Sequence, residues 1–176
     1  MTTSLVRTRY ADLQDVPAVH DLHVRCTPQT LESRFHVPLA HVSLRLVRSL
    51  VCPPGGWSIV AEQGDEVVGH GCAGPLSPDR VEVALLVDDA FQGTGIGTRL
   101  LRDLASTAGE RGFRSLMCSI EPDNESVLPT VRRAGLDGML SFVDGVLEIE
   151  VPLPQQVSQQ VSGRAPACGS ERQQSA

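Results

Sequence analysis

The chain contains no lysine; all fifteen of its basic residues are arginine. That absence excludes the nucleoside-triphosphate loop Gly-x4-Gly-Lys-Ser/Thr, which needs a lysine to reach the phosphates. It also means the chain cannot modify itself on a lysine side chain. Long apolar runs are missing too: none approaches the roughly 18–20 residues that span a bilayer. The N-terminal stretch MTTSLVRTRY has no apolar h-region, so a cytoplasmic protein with no membrane partner is expected. No CxxC occurs. Cys26, Cys52, Cys72, Cys118 and Cys168 are odd in number and scattered, a pattern that fits reduced thiols better than a disulfide framework or a zinc site. His20 and His23 lie three apart without an evident third ligand, so no metal is expected. Positive charge is in deficit, with a net charge of −6, which argues against a nucleic-acid footprint.

What remains is ordinary for a soluble domain: 176 residues, 41% apolar and 20% charged. That is one domain with some residues left over. The composition shifts to Gln, Ser, Pro, Arg and Gly near Pro154. Residues 1–152 are therefore read as the folded domain and 153–176 as a disordered tail.

The order of elements follows from periodicity and breakers. Ser4–Tyr10 alternates as a short strand. Asp15 is placed to cap a helix that tolerates Pro17 in its first turn and ends near Cys26. Thr27-Pro28 starts a second short helix. Residues 39–50 are ambiguous: Leu39, Val42, Leu46, Val47 and Leu50 fit a helix, and the run is also apolar enough for part of it to be extended. Trp57–Glu62 and Glu66–Ala73 read as a hairpin across Gln63-Gly64-Asp65. Arg80–Val87 is a further strand, and Gly95–Arg111 is an amphipathic helix with Ile96, Leu100, Leu101, Leu104 and Ala108 on one stripe. Ser115–Ile120 follows a helical crossover and should run parallel to Arg80–Val87. Asn124–Ala134 is helical, closed by Gly135. Gly138–Phe142 and Val146–Val151 pair across Asp144-Gly145. The fold class is α/β of the α+β kind: a mixed central sheet flanked by helices. Its change from antiparallel to parallel pairing marks a place where such sheets bind ligands.

That place coincides with VEVALLVDDAFQGTGIGTRLL, Val81–Leu101. A strand feeds an acidic turn, then a glycine loop, then a helix start. The loop offers backbone N–H groups without Cβ obstruction, and the helix dipole favours an anion there. The glycines Gly93, Gly95 and Gly97 do not keep the Gly-x-Gly-x-x-Gly spacing of a dinucleotide fingerprint, and no early βαβ unit carries them. A glycine turn that only packs a helix on a sheet is the bland alternative.

Gln92-Gly93-Thr94-Gly95-Ile96-Gly97, preceded by Leu-Leu-Val and Asp-Asp-Ala-Phe, closely resembles the acetyl-CoA-binding motif of the GNAT acyltransferases. A second segment, from Asn124-Glu125-Ser126 to Arg133-Ala134-Gly135-Leu136, resembles that family's Asn…Gly-Phe segment with Leu in place of Phe. The likeness covers roughly residues 4–151 in element order. It implies the GNAT fold and acetyl-CoA as co-substrate. It further implies that backbone groups of Leu85, Leu86 and Val87 pair with the pantetheine arm, and that amides around Gln92, Gly93, Thr94, Gly95, Ile96, Gly97 and Thr98 hold the pyrophosphate. Asn124 would lie near the same arm. Arg99 and Arg102 are either phosphate contacts or solvated helix surface.

Acyl transfer from a thioester to an amine needs a proton acceptor, fixed oxyanion donors and a departing thiolate. Glu82 is the base candidate, a carboxylate in an apolar strand on the same face as Ala84 and Leu86. Its setting, Glu82-x-Ala84-x-x-Val87, resembles protein-lysine acetyltransferases of the family, in which a glutamate is the proposed base. The alternative is a strand-end glutamate paired with Arg80 or Arg114. Glu121 is the reserve catalytic candidate, and the N–H of Leu86 or Val87 is the oxyanion candidate. Many family members place a tyrosine at the position of Val131 as general acid; valine cannot donate a proton. Arg25–His36 resembles the Ser-x-Glu-x-x-Tyr-x-Arg-Phe region of bacterial protein acetyltransferases, which makes Glu32, Arg34 and Phe35 acceptor-contact candidates, with a core role for Phe35 as the alternative. The acceptor is thus a primary amine, a protein lysine among the candidates. A small-amine enzyme and a non-catalytic CoA-binding module stay open, and so does oligomeric state, a homodimer included.

Overall fold

The structure is a computed structural model and describes residues 5–39, 41–121, 124–143 and 146–154. Seven strands form one sheet: β1 (Arg7–Tyr10), β2 (Trp57–Gln63), β3 (Glu66–Pro75), β4 (Arg80–Val87), β5 (Ser115–Ile120), β6 (Met139–Val143) and β7 (Val146–Pro152). The order across the sheet is β1-β2-β3-β4-β5-β7-β6. Only β4 and β5 are parallel, as their helical crossover requires. The helices are α1 (Val16–Arg25), α2 (Pro28–Phe35), α3 (Leu44–Val51), α4 (Ile96–Glu110) and α5 (Val127–Arg133).

Period-two alternation divides the core between the two sheet faces. On one face Ile59, Val68, Val81 and Val83 meet the stripe Ile96, Leu100, Leu104 and Ala108 of α4, together with Val131 of α5. On the other, Val60, Val67 and Leu86 meet Val19 and Leu22 of α1, Leu31 of α2, and Val47 and Val51 of α3. Gly71 lets α4 sit close to β3: a Cβ there would stand 2.9 Å from Leu104 Cδ1.

Local differences from the sequence reading have local causes. Asp15 does not cap α1 through its side chain. Its carboxylate is taken by Arg9 at 2.7 and 2.8 Å, and Asp12 caps the preceding 3-10 turn in a capping box with Asp15. The ambiguous stretch resolves as α3, started by Ser43, whose hydroxyl accepts from Leu46 N–H. The helix read from Asn124 begins at Val127, because Asn124 Oδ1 instead accepts from Ser126 N–H and Oγ–H in an Asx turn. Leu153, assigned to the tail, is buried, and its N–H donates to Arg114 C=O. Residues 155–176 and the turn Asp144-Gly145 lie outside the described residues. Cys26, Cys72 and Cys118 are free, as expected. Cys52, at the C-cap of α3, is disulfide-bonded, against the expectation of reduced thiols. Among the described residues no helix is long and apolar enough to cross a membrane.

Candidate active site

The parallel pairing of β4 and β5 is short. Arg80, Val81 and Glu82 pair with Ser115, Leu116 and Met117, and there it stops. β4 continues to Val87 against β3 alone. The strands therefore part in a V, and the β5-facing edge of Val83–Val87 has no strand partner among the described residues. Which backbone groups face the gap follows from the ladder. Asp88 N–H donates to Val68 C=O and Leu76 N–H to Arg80 C=O, so even-numbered residues of β4 direct their backbone groups to β3. Val83, Leu85 and Val87 then face the gap. Of the two amides named from sequence, that of Leu86 is spent in the β3 ladder, and that of Val87 faces the gap.

The V opens into a cleft of about 840 Å³ that runs from the glycine loop to the end of α3. At the loop, Gly93 and Gly95 have φ of +73° and +93°, a region open to glycine at little cost. Gly95 is the N-cap of α4, and the first intrahelical bond is Arg99 N–H to Gly95 C=O. The amides of Ile96, Gly97 and Thr98 are left without intrahelical acceptors, at the positive end of a 15-residue helix. That is a site for phosphate oxygens.

The loop is clamped to the helical layer by the two aspartates before it. Arg25 Nε donates to Asp88 at 2.8 Å. Asp89 accepts from Thr27 N–H at 2.8 Å and from Thr30 Oγ1 at 2.6 Å. Burial alone would raise the Asp89 pKa, but these hydrogen bonds from Thr30 and Thr27 hold it below the usual range. Gln92 Nε2 reaches back to Val87 C=O at 3.2 Å.

Of the residues expected at the cofactor, Leu85, Leu86, Val87, Gln92, Gly93, Thr94, Gly95, Gly97, Thr98 and Asn124 line the cleft. The Ile96 side chain does not; it is buried beneath α4. Arg99 donates to Val6 C=O at 2.6 Å and Arg102 to Arg133 C=O at 3.0 Å, so both have structural partners. Val131 is buried in the cleft wall.

In the acceptor half, Glu82 lines the cleft and is exposed to it. None of the described ion pairs or side-chain hydrogen bonds involves it, and neither Arg80 nor Arg114 pairs with it. Arg34 and Phe35 also line the cleft; Glu32 is exposed and lies outside its lining. Arg34 Nη2 donates to Cys72 Sγ at 3.3 Å, and its guanidinium lies 5.0 Å from the Phe35 ring centre. Phe35 packs on the α1–α3 core as well, so both of its expected roles meet in one side chain. Glu121 is not in the lining; its carboxylate accepts from His36 Nδ1 at 2.8 Å.

The lining also includes residues not singled out from sequence as site residues, among them His36, Cys72 and Cys118. Cys72 faces the acceptor side because it pairs with Ala84, in register with the Glu82 face. Burial pushes the Cys72 thiol up and the Cys118 thiol up to about 11, so both stay protonated at neutral pH. His20 and His23 are spent on the backbone carbonyls of Val42 and Val19. No group of three or more His, Cys, Asp or Glu among the described residues could hold a metal ion.

A bare strand edge, an anion-binding helix start and an open acceptor face together define an acyl-group-transfer architecture. Residues 16–136 match the model of the acetyltransferase (GNAT) family, and the chain belongs to that family. By sequence alone, no curated protein matches the chain. Among solved structures, the GNAT domain of S. lividans PAT is similar, with a TM-score of 0.76 and 26% identity over 84% of this chain and 90% of that one. A phosphinothricin acetyltransferase of Sinorhizobium meliloti, solved with acetyl-CoA, gives a TM-score of 0.66 and 20% identity over 92% and 96%. A ribosomal L7/L12 alpha-N-protein acetyltransferase in complex with coenzyme A gives 0.66 and 21% over 87% and 96%.

Proposed function

We propose that the protein moves the acetyl group of acetyl-CoA to a primary amine by direct attack, with a protein lysine as the acceptor and Glu82 as the general base. The observation that carries this is the parting of β4 from β5 above a glycine loop, with a carboxylate on the acceptor side of the same cleft.

In this reading the amides of Ile96, Gly97 and Thr98 hold the pyrophosphate. The edge of Leu85 and Val87 pairs with the pantetheine arm as an added strand would. The Val87 N–H donates to the carbonyl oxygen as negative charge gathers there. An incoming ammonium, with a reference pKa near ~10.4, must lose a proton before it attacks, and Glu82 is the exposed carboxylate placed to accept it. Lysine as the acceptor class rests on the resemblance of Glu82-x-Ala84 and Arg25–His36 to protein acetyltransferases.

The solved relatives act on unlike acceptors, a ribosomal protein N-terminus and phosphinothricin among them. The test is therefore an acceptor panel with acetyl-CoA: lysine peptides, protein N-termini, polyamines and amino acids, scored by thiol release. Release that depends on peptide lysine supports the reading. Release only with small amines overturns the lysine assignment, and tight CoA binding without any acceptor-dependent release overturns the enzyme.

A further inference from the structure

His36 and Glu121 lie 2.8 Å apart, imidazole Nδ1 to carboxylate. Their placement gives the contact its interest. His36 caps the C-terminus of α2, the helix packed on β4, while Glu121 is the first residue past β5. The pair therefore joins α2 to β5 across the gap where β4 and β5 have parted. His36 also holds φ at +58°, the only non-glycine residue with positive φ among those described. It is the left-handed turn that ends α2, with the His36 N–H on Glu32 C=O.

The chemistry of the cleft has a proton left over. An ammonium that becomes an amide loses two protons from nitrogen, one before attack and one after. A thiolate that departs needs one, since its reference pKa is about 8.5. Arg34 from α2, Cys72 from β3, Glu82 from β4, Cys118 from β5 and Arg133 from α5 share the cleft with His36. Both thiols are held protonated by burial, and an arginine stays protonated in a protein and cannot act as a base. A histidine is the one side-chain type here whose reference pKa allows it to take and return a proton at neutrality. A carboxylate on Nδ1 fixes the ring so that Nε2 carries the lone pair.

We propose that His36 is a second catalytic residue, a proton shuttle between the reacting nitrogen and the departing sulfur, with Glu121 as its positioning residue. The proposal rests on the acetyltransferase reading above. Glu82 takes the first ammonium proton and returns it to solvent. The C–N bond forms, and His36 Nε2 takes the second nitrogen proton. The C–S bond breaks, and the imidazolium gives that proton to the sulfur. One ammonium and one thioester give one amide, one thiol and one released proton.

Two measurements test this. Glycine accepts the backbone angle of residue 36, so His36→Gly is expected to keep the fold and bind acetyl-CoA within about threefold while kcat falls about 10²-fold. Added imidazole should restore part of the loss. Glu121→Gln should lower kcat in the wild type and add nothing in His36→Gly. A kcat for His36→Gly above about a third of wild type overturns the shuttle. The second readout does not need turnover: the His36 ring nitrogens, followed by ¹⁵N NMR across a pH titration with CoA and with desulfo-CoA. A titration that differs between the two places the ring beside the sulfur, and identical curves overturn the proposal. Absence of acceptor-dependent thiol release by the wild-type protein would instead overturn the acetyltransferase reading, and the NMR comparison would still decide where His36 stands.

Discussion

Arg25 and Asp88 are joined at 2.8 Å, Nε to Oδ2, across 63 residues of sequence. The same guanidinium donates to Val67 C=O at 2.8 Å. One arginine at the end of α1 thus holds both the ladder of β3 and the turn that launches the glycine loop. The Asp88 carboxylate is nearly buried, so its partner matters more than a surface ion pair would. Arg25→Ala is expected to cost about 1–3 kcal/mol and to weaken acetyl-CoA binding by loosening the loop. Thermal unfolding and calorimetric titration check the two effects separately.

Glu82→Gln removes the charge and keeps the shape. Turnover should fall by about 10²–10⁴-fold, with acetyl-CoA affinity little changed, because Glu82 stands on the acceptor side of the cleft. The pH–rate profile is the sharper measure. An unaltered profile in the variant would remove Glu82 from the proton path.

At the loop, Gly95 combines a φ of +93° with open space around the missing Cβ. Gly95→Ala should therefore cost about 1–2 kcal/mol through backbone strain rather than collision. Gly95→Glu sets a carboxylate at the positive helix end where phosphate oxygens are expected. Loss of CoA binding in the glutamate variant but only weakening in the alanine variant is the expected pair of results. Retained binding in Gly95→Glu would put the ligand elsewhere.

Gly56 and Gly74 make a matched comparison. A Cβ on Gly56 would stand 2.0 Å from Ala73 C=O oxygen, whereas one on Gly74 meets nothing within 4 Å. Gly56→Ala must displace backbone and should cost upwards of about 2–3 kcal/mol. Gly74→Ala should leave the melting temperature near that of the wild type. Equal melting temperatures for the two variants would contradict the packing at the start of β2.

Acid should destabilise the fold through His70. Burial, with Arg34 and His23 nearby, pushes its pKa down to about 3, and burial lowers His23 as well. An unfolded histidine binds a proton near pH 6.5, so between about 6.5 and about 3 the unfolded state holds the extra proton. Stability then falls as the pH drops through that window, by up to about 1.4 kcal/mol per pH unit for one proton. Asp15 and Asp89, both held below the usual carboxylate range, act in the same direction at lower pH. His70→Gln should flatten the upper part of this dependence, as measured by urea unfolding at a series of pH values.

The elements that could be read from sequence were those with strong local signals. The α4 stripe, the hairpin at Gly64 and the glycine loop each declare themselves within a dozen residues. The parallel pairing of β4 and β5 followed from the crossover rule and holds in the structure. What sequence could not supply was register. The choice between the Leu86 and Val87 amides depends on which of them the β3 ladder consumes, and that is fixed by partners more than ten residues away. The His36–Glu121 contact spans 85 positions and has no local signature. Asp15 looked like a helix cap by position, yet its carboxylate is shared between Arg9 and the Asp12 N–H, partners that lie before α1 in the chain.

The sheet is in effect two smaller sheets. β1–β4 form one antiparallel unit and β5–β7 a second, and among the described residues the strand pairing between them is confined to Arg80–Glu82 with Ser115–Met117, beside the Asp79 C=O that accepts from Arg114 and Ser115 N–H. Such a seam is the natural place for breathing motions, because few backbone bonds must break to open it. A ligand lying along Val83–Val87 would suture the two halves. Amide exchange at Val83, Leu85 and Val87 should then report occupancy directly, fast in the free protein and slowed when the seam is filled.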